Sequence, residues 1–174
     1  NDLFAGVHDS ISELMYAENT FLATLSEDRI TLEFPYFVDK HDDRPGVIKL
    51  DPNTPEEQKT VTARILQSGE SILFNQSDNL DINQTGPSAV SWLGVPLKDK
   101  SKTFGVLVVQ SYDPEHVYTT QERLVLEKKK VKEIRKQPVK KIIQKADVSK
   151  TNKPKKASSN RRRKPRNPNA SKPK

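Results

Sequence analysis

Apolar residues at Leu3, Phe4, Val7, Ile11, Leu14 and Met15 recur at helical spacing. They predict an opening helix whose single apolar stripe faces a core or a dimer partner. The period then shortens. Phe21-Leu22-Ala23-Thr24-Leu25 and Ile30-Thr31-Leu32-Glu33-Phe34 flank a polar Glu27-Asp28-Arg29, which predicts a β-hairpin with one face buried. Residues 39–53 are polar and broken by Pro45, Gly46 and Pro52, so they read as a loop. Thr54-Pro55-Glu56-Glu57 has the form of a capping box with Pro at the first helical position. A helix is expected from there through Val61, Ile65 and Leu66, stopping at Ser68-Gly69. Ser71-Ile72-Leu73-Phe74 predicts a short strand, and a second polar loop runs from Asn75 to Pro87. Ser91-Trp92-Leu93-Gly94-Val95-Pro96-Leu97 predicts another strand, with Pro96 suggesting an edge position or a bulge. Lys98 to Lys102 form a turn. The nearly continuous apolar run from Phe104 to Tyr112 reads as a central strand covered on both faces. Thr119-Thr120-Gln121-Glu122 is a second capping box that starts a last helix. The order α-β-β-α-β-β-β-α, with hairpins at both ends, predicts an α/β (α+β) fold in which helices cover an antiparallel sheet.

Charge divides the chain. Residues 1–127 carry 21 acidic and 10 basic side chains; residues 128–174 carry 2 acidic and 20 basic. The mean hydropathy of −0.78 therefore averages a foldable acidic body with a strongly basic remainder. The expected organisation is a domain over 1–127, a basic, partly helical segment over 128–146, and a disordered basic tail over 147–174. A body of this size buries roughly two-thirds of its unfolded surface, enough for its own core. With no Cys in the chain, disulfides, thiolate metal sites and Cys nucleophiles are excluded. No stretch of about 18 apolar residues is present, so no membrane span is expected. The acidic, amphipathic opening is unlike a secretory signal, and a cytoplasmic setting is expected. The first residue is Asn rather than Met, as in a processed or partial chain.

The strand-turn-strand unit Ser91-Trp92-Leu93-Gly94-Val95-Pro96-Leu97-Lys98 and Phe104-Gly105-Val106-Leu107-Val108-Val109-Gln110-Ser111-Tyr112, continued by Tyr118-Thr119 and Glu122, resembles that of GAF domains. Glu13-Leu14-Met15-Tyr16-Ala17-Glu18-Asn19 and Phe34-Pro35-Tyr36-Phe37-Val38-Asp39 match upstream. The resemblance covers roughly residues 3–127 and is to the GAF domains that precede output domains in bacterial sensor histidine kinases and diguanylate cyclases. It implies a sensory or dimerising module of a two-component or related signalling protein. Terminal helices would lie on one sheet face, and a small-molecule pocket under loops on the other. Bilin attachment and the methionine-sulfoxide-reductase branch use cysteines this chain lacks, and the Asn-Lys-Phe-Asp-Glu signature of cyclic-nucleotide-binding members is absent.

The candidate pocket residues are Tyr36, Phe37, Ser91, Trp92, Gln110 and Tyr112, aromatics for apolar area and polar groups to orient a ligand. For each, the bland alternative is core packing or backbone satisfaction. His8, His41 and His116 are too scattered to form a metal cluster and read as solvated or capping. The sequence specifies no cofactor. Asp42-Asp43 and Glu56-Glu57 read as solvation and capping, and there is no nucleophile elbow or Gly-rich phosphate loop. No catalytic residue is assigned and no enzymatic activity is expected.

The basic end departs from the family pattern, because Glu127-Lys128-Lys129-Lys130 interrupts the apolar stripe of the last helix and Pro138 breaks its continuation. Three readings of it stand. Arg161, Arg162, Arg163, Lys164 and Arg166 would bind nucleic-acid phosphates, without base stacking because no aromatic follows Tyr118. The same charge would bind an anionic membrane surface. Or the tail is the out-of-frame or fused remainder of a truncated sensor. The expected function is thus a non-catalytic sensory GAF module that binds a small molecule, dimerises, or both. The alternative is a nucleic-acid-associated protein with the GAF body as a dimerising anchor.

Overall fold

A computed structural model of the chain describes residues 3–78 and 87–134. Helix α1 (Leu3–Ser12) is followed by β1 (Asn19–Leu25), β2 (Thr31–Val38), β3 (Ile48–Lys49) and α2 (Val61–Ser68). Then come β4 (Ile72–Asn75), β5 (Ser91–Asp99), β6 (Lys102–Ser111) and α3 (Thr120–Ile134). The strands form one six-stranded sheet in the order β3-β2-β1-β6-β5-β4, and every neighbouring pair is antiparallel. The expected helix-covered antiparallel sheet is therefore present, with one more strand than the sequence predicts. β3 has two exposed residues, too few to show a period; it pairs with β2 through Thr31–Lys49 and Leu32–Ile48.

Period-2 alternation splits the core into two layers. Leu22, Leu93, Val95, Leu97, Leu107 and Val109 point to the face that packs on Phe4 and Ile11 of α1 and Leu126 of α3. Phe21, Ala23, Leu25, Trp92, Val106 and Val108 point to the other, where Ile65 and Leu66 of α2 cover them. β1 and β6 are central and buried along both faces, so the first hairpin is one-sided only on its β2 arm. β5 is interior to the sheet, yet its register with β6 shifts between Leu97 and Lys98, next to Pro96. Pro96 pairs with Val106 of β6 and lies past the last β4 partner, Gly94, where a missing N–H leaves no ladder bond unmade.

Three helix ends show how local chemistry was sorted. α2 does not begin at Thr54. Pro55 stays extended (ψ 147°), Glu56–Gln58 make one 3-10 turn, and Thr60 is the cap, its Oγ1 accepting from the Ala63 N–H at 3.3 Å. The reason is burial: residues 54–60 carry no apolar stripe, whereas Val61, Ile65 and Leu66 do. Its C-terminus is as predicted, with Gly69 left-handed (φ 69°) and its N–H on the Ile65 carbonyl at 2.8 Å. The capping box of α3 is formed in both directions. The Thr119 N–H donates to Glu122 Oε2 at 2.8 Å, and the Glu122 N–H to Thr119 Oγ1 at 3.3 Å. α3 then runs unbroken through Glu127-Lys128-Lys129-Lys130 to Ile134, so the closing helix is longer than the lysine run suggests. Lysines are good helix formers and sit favourably toward a helix C-terminus. The rest of the basic segment, from 135, and the tail over 147–174 lie outside the described residues.

Candidate ligand-binding site

A cavity of about 260 Å³ lies on the α2 side of the sheet. Its apolar wall is Phe21 of β1, Leu32, Phe34 and Phe37 of β2, and Trp92 of β5; Val61 and Thr62 of α2 close one side. Asp42, Asp43, Pro45 and Ile48 come from the loop and short strand after β2, and Pro87 from the segment before β5. Phe21 stacks on Phe37 with ring centroids 5.6 Å apart, Phe34 meets Phe37 edge-on at 6.4 Å, and Trp92 stacks on Phe74 at 5.8 Å. Trp92 can lie flat along its strand because position 94 is Gly: a Cβ there would fall 2.4 Å from the indole.

Gln110 enters the cavity from β6, opposite Trp92 in the ladder. Its amide Nε2 donates to Asp39 Oδ2 and, at 2.9 Å, to the Tyr112 hydroxyl. The Tyr112 hydroxyl also donates to Asp39 Oδ2 at 3.3 Å. Asp39 Oδ1 accepts the N–H groups of His41 and Asp42 at 2.8 and 2.9 Å. One carboxylate therefore holds the start of the 39–53 loop against β6 and presents Asp42 to the cavity. Burial, then the negative charge of Asp39, pushes the Tyr112 phenol well above its ordinary pKa. The His41 ring packs on Tyr112 with centroids 4.3 Å apart.

Of the six residues proposed from sequence, Phe37, Trp92 and Gln110 line this cavity. Tyr112 packs against the core layer on the same side and braces Gln110 from beside the cavity. Tyr36 and Ser91 do not share that side. Tyr36 packs with the α1 layer, where His8 Nδ1 accepts from its hydroxyl at 2.6 Å. The cause is a bulge. The β1 partners jump from Leu22–Tyr36 to Thr24–Glu33, so Phe34 and Pro35 together oppose Ala23 and every later residue of β2 changes face. Ser91 follows simple alternation away from Trp92. Its Oγ donates to Asn75 Oδ1 at 2.6 Å and accepts the Tyr118 N–H at 2.9 Å. Both are fully engaged in tying helices to the sheet.

Sequence reasoning missed Phe21, Phe34, Asp39, Asp42 and Asp43. The aromatics were legible as buried strand positions but not as cavity wall, and nothing local marks an Asp as the anchor of a loop. His41 and His116 are exposed, as expected of solvated histidines, each with a ring against a tyrosine, whereas His8 is half-buried and held by two hydrogen bonds. His8 Nε2 donates to the Ala17 carbonyl at 2.6 Å, His41 packs on Tyr112, and His116 stacks on Tyr16 at 4.2 Å. Among the described residues no group of three His, Asp or Glu side chains is placed to hold a metal ion. No described helix is long and apolar enough to cross a membrane. Arg161, Arg162, Arg163, Lys164 and Arg166 lie outside the described residues.

The family model of the GAF domain matches residues 2–128. The chain belongs to the GAF family. No curated protein sequence matches it. Solved structures show the same fold at low identity. The GAF domain of a two-component sensor histidine kinase from Bacillus halodurans is 17% identical with TM-score 0.55, covering 86% of this chain and 95% of that one. Residues 122 to 287 of a methyl-accepting chemotaxis protein are 14% identical with TM-score 0.60, covering 78% and 90%. The free methionine-R-sulfoxide reductase from Neisseria meningitidis, solved with its substrate, is 16% identical with TM-score 0.52, covering 86% and 81%. GAF domains are generally regulatory or sensory modules of signalling proteins, but this last neighbour shows that the fold also carries an enzyme.

Proposed function

We propose that this GAF domain is the sensory module of a bacterial signalling protein. It binds a small molecule between the sheet and the loops around 39–53 and 75–88, and does no chemistry on it. The observation that supports this reading is the cavity. It is walled by aromatics from three strands and reached by residues of both loops, on the sheet face opposite α1 and α3. A binding event there has a short route to the helices. Trp92, in the cavity wall, is preceded by Ser91, which holds the Tyr118 N–H at the entry to α3. The Tyr118 hydroxyl in turn donates to the Tyr16 carbonyl at the exit of α1, at 2.9 Å. A ligand that shifts β5 therefore biases both terminal helices, the elements through which a GAF module would pair with a second copy and pass its state on. Leu14 beyond α1 and Leu124 of α3 are 50% and 41% exposed, apolar area available to such pairing.

Native mass spectrometry of the freshly purified chain, set against its denatured mass, tests both parts. A retained ligand adds mass, and the same spectrum reports monomer or dimer. Once a ligand is in hand, Phe37→Ala and Trp92→Ala should each weaken it about tenfold or more. Unchanged affinity in both variants would sink the site.

The 20 basic residues after 127 favour a second reading, in which the chain also holds nucleic acid by its phosphates. Replacing Arg161, Arg162, Arg163, Lys164 and Arg166 with Gln should then weaken retention on nucleic acid and reduce its salt slope.

A further inference from the structure

The chemistry of the cavity wall points to a class of ligand. We infer that, if the sensory reading holds, the site takes a small organic cation, an alkyl- or quaternary ammonium compound. Two independent features meet here. The first is the wall. Phe21, Phe34, Phe37 and Trp92 all line one cavity, with the three phenylalanine rings mutually packed at 5.6–6.4 Å. Ring faces carry negative quadrupole charge, so several rings around one space attract a cation while still burying its methyl or methylene groups. The second is the charge balance. Asp42 and Asp43 are the charged side chains that line the cavity among the described residues, and no Lys or Arg does.

Of the nearby cations two are paired with carboxylates and the third, Arg44, lies outside the lining but keeps its charge at the rim, behind Phe34. Lys40 pairs with Glu18 at 2.7 Å, Lys59 with Glu56 at 2.7 Å, and the Arg44 guanidinium donates to the Phe34 carbonyl. An anionic ligand would meet two carboxylates in an aromatic wall. A bare metal ion would find aromatic carbon where it needs oxygen, and no three acidic or His side chains converge among the described residues. A charged amine with an apolar body satisfies both halves of the site. At about 260 Å³ the space suits a small metabolite.

Trp92 is the only Trp in the chain, so its emission reports on the cavity directly. The test titrates the full chain with three probes of one shape. These are choline, its uncharged carbon isostere dimethylbutanol, and the anion dimethylbutyrate. Heats of binding are recorded on the same solutions in case the emission does not move. The expected result is saturable binding of choline, about tenfold tighter than dimethylbutanol, with dimethylbutyrate weaker still. Joint replacement Asp42→Asn and Asp43→Asn should cost choline about fivefold and leave dimethylbutanol unchanged, with the far-ultraviolet circular dichroism unaltered. Equal binding of choline and dimethylbutanol, or tighter binding of the anion, overturns the ligand class and leaves the small-molecule reading standing. Absence of saturable binding for all three overturns the cation site, and a clean apo mass in the native spectrum would then count against the sensory reading itself.

Discussion

Tyr36 and Phe37 are neighbours on β2 and face opposite sides of the sheet, one bound to His8 and one in the cavity wall. Alternation alone dictates that they separate; which goes where depends on the bulge at Phe34-Pro35. Phe37 therefore reaches the cavity with Phe34, three positions away, against the simple period. Single residues elsewhere are just as constrained. A methyl group at position 94 would collide with both Trp92 and Ile65, at 2.4 and 2.7 Å. Gly94→Ala should destabilise the domain by about 1–3 kcal/mol and displace the Trp92 emission, read by urea unfolding and fluorescence. Ser91→Ala leaves the Tyr118 N–H and Asn75 Oδ1 without their partner in a buried setting. It should cost about 1–3 kcal/mol while leaving intrinsic affinity in the cavity nearly unchanged. A variant that kept stability and lost ligand would restore Ser91 to the binding site.

At the scale of elements, the sequence offers two capping boxes, and only the one at Thr119 forms. The other loses to Thr60, because a helix begun at 54 would bury nothing in its first turns. Thr60→Ala should therefore cost about 1 kcal/mol, and Thr54→Ala within about 0.5 kcal/mol of nothing, compared by thermal or urea unfolding. The reverse order would mean that α2 starts where the motif says. Most elements were legible because their signals are long: the apolar run of β6, the helical stripe of α1, the turn between β5 and β6. β3 was not, since two exposed residues have no period and its pairing comes only from the partner strand. The full reach of α3 was hidden by a lysine run that breaks the apolar stripe but not the backbone hydrogen-bond ladder.

At the scale of the molecule, three phenols are hydrogen-bonded in the fold and titrate late. The Tyr16 phenol is pushed up to about 12 by burial and by its hydrogen bond to Glu18. Tyr112 is raised by burial and Asp39, and Tyr118 by burial first. Their unfolded counterparts ionise near pH 10, at about 10.0. Because the folded values are raised, this contribution to stability is full below about pH 10 and is lost as pH rises through the folded values. The urea midpoint should fall between about pH 9 and pH 12, with tyrosinate absorbance appearing together with unfolding; a flat midpoint would contradict these environments. The sequence by itself determined that 1–127 is foldable and acidic and the remainder basic, that helices cover an antiparallel sheet, and that the chain resembles a GAF domain. Those features rest on periodicity, composition and local motifs, which act between near neighbours in the chain. Only the tertiary structure decided which residues share the cavity, because a bulge reversed the faces of β2 and a distant carboxylate, Asp39, fixed the loop that brings Asp42 to the aromatic wall. Side chains that meet across strands far apart in sequence leave no mark in any window of it.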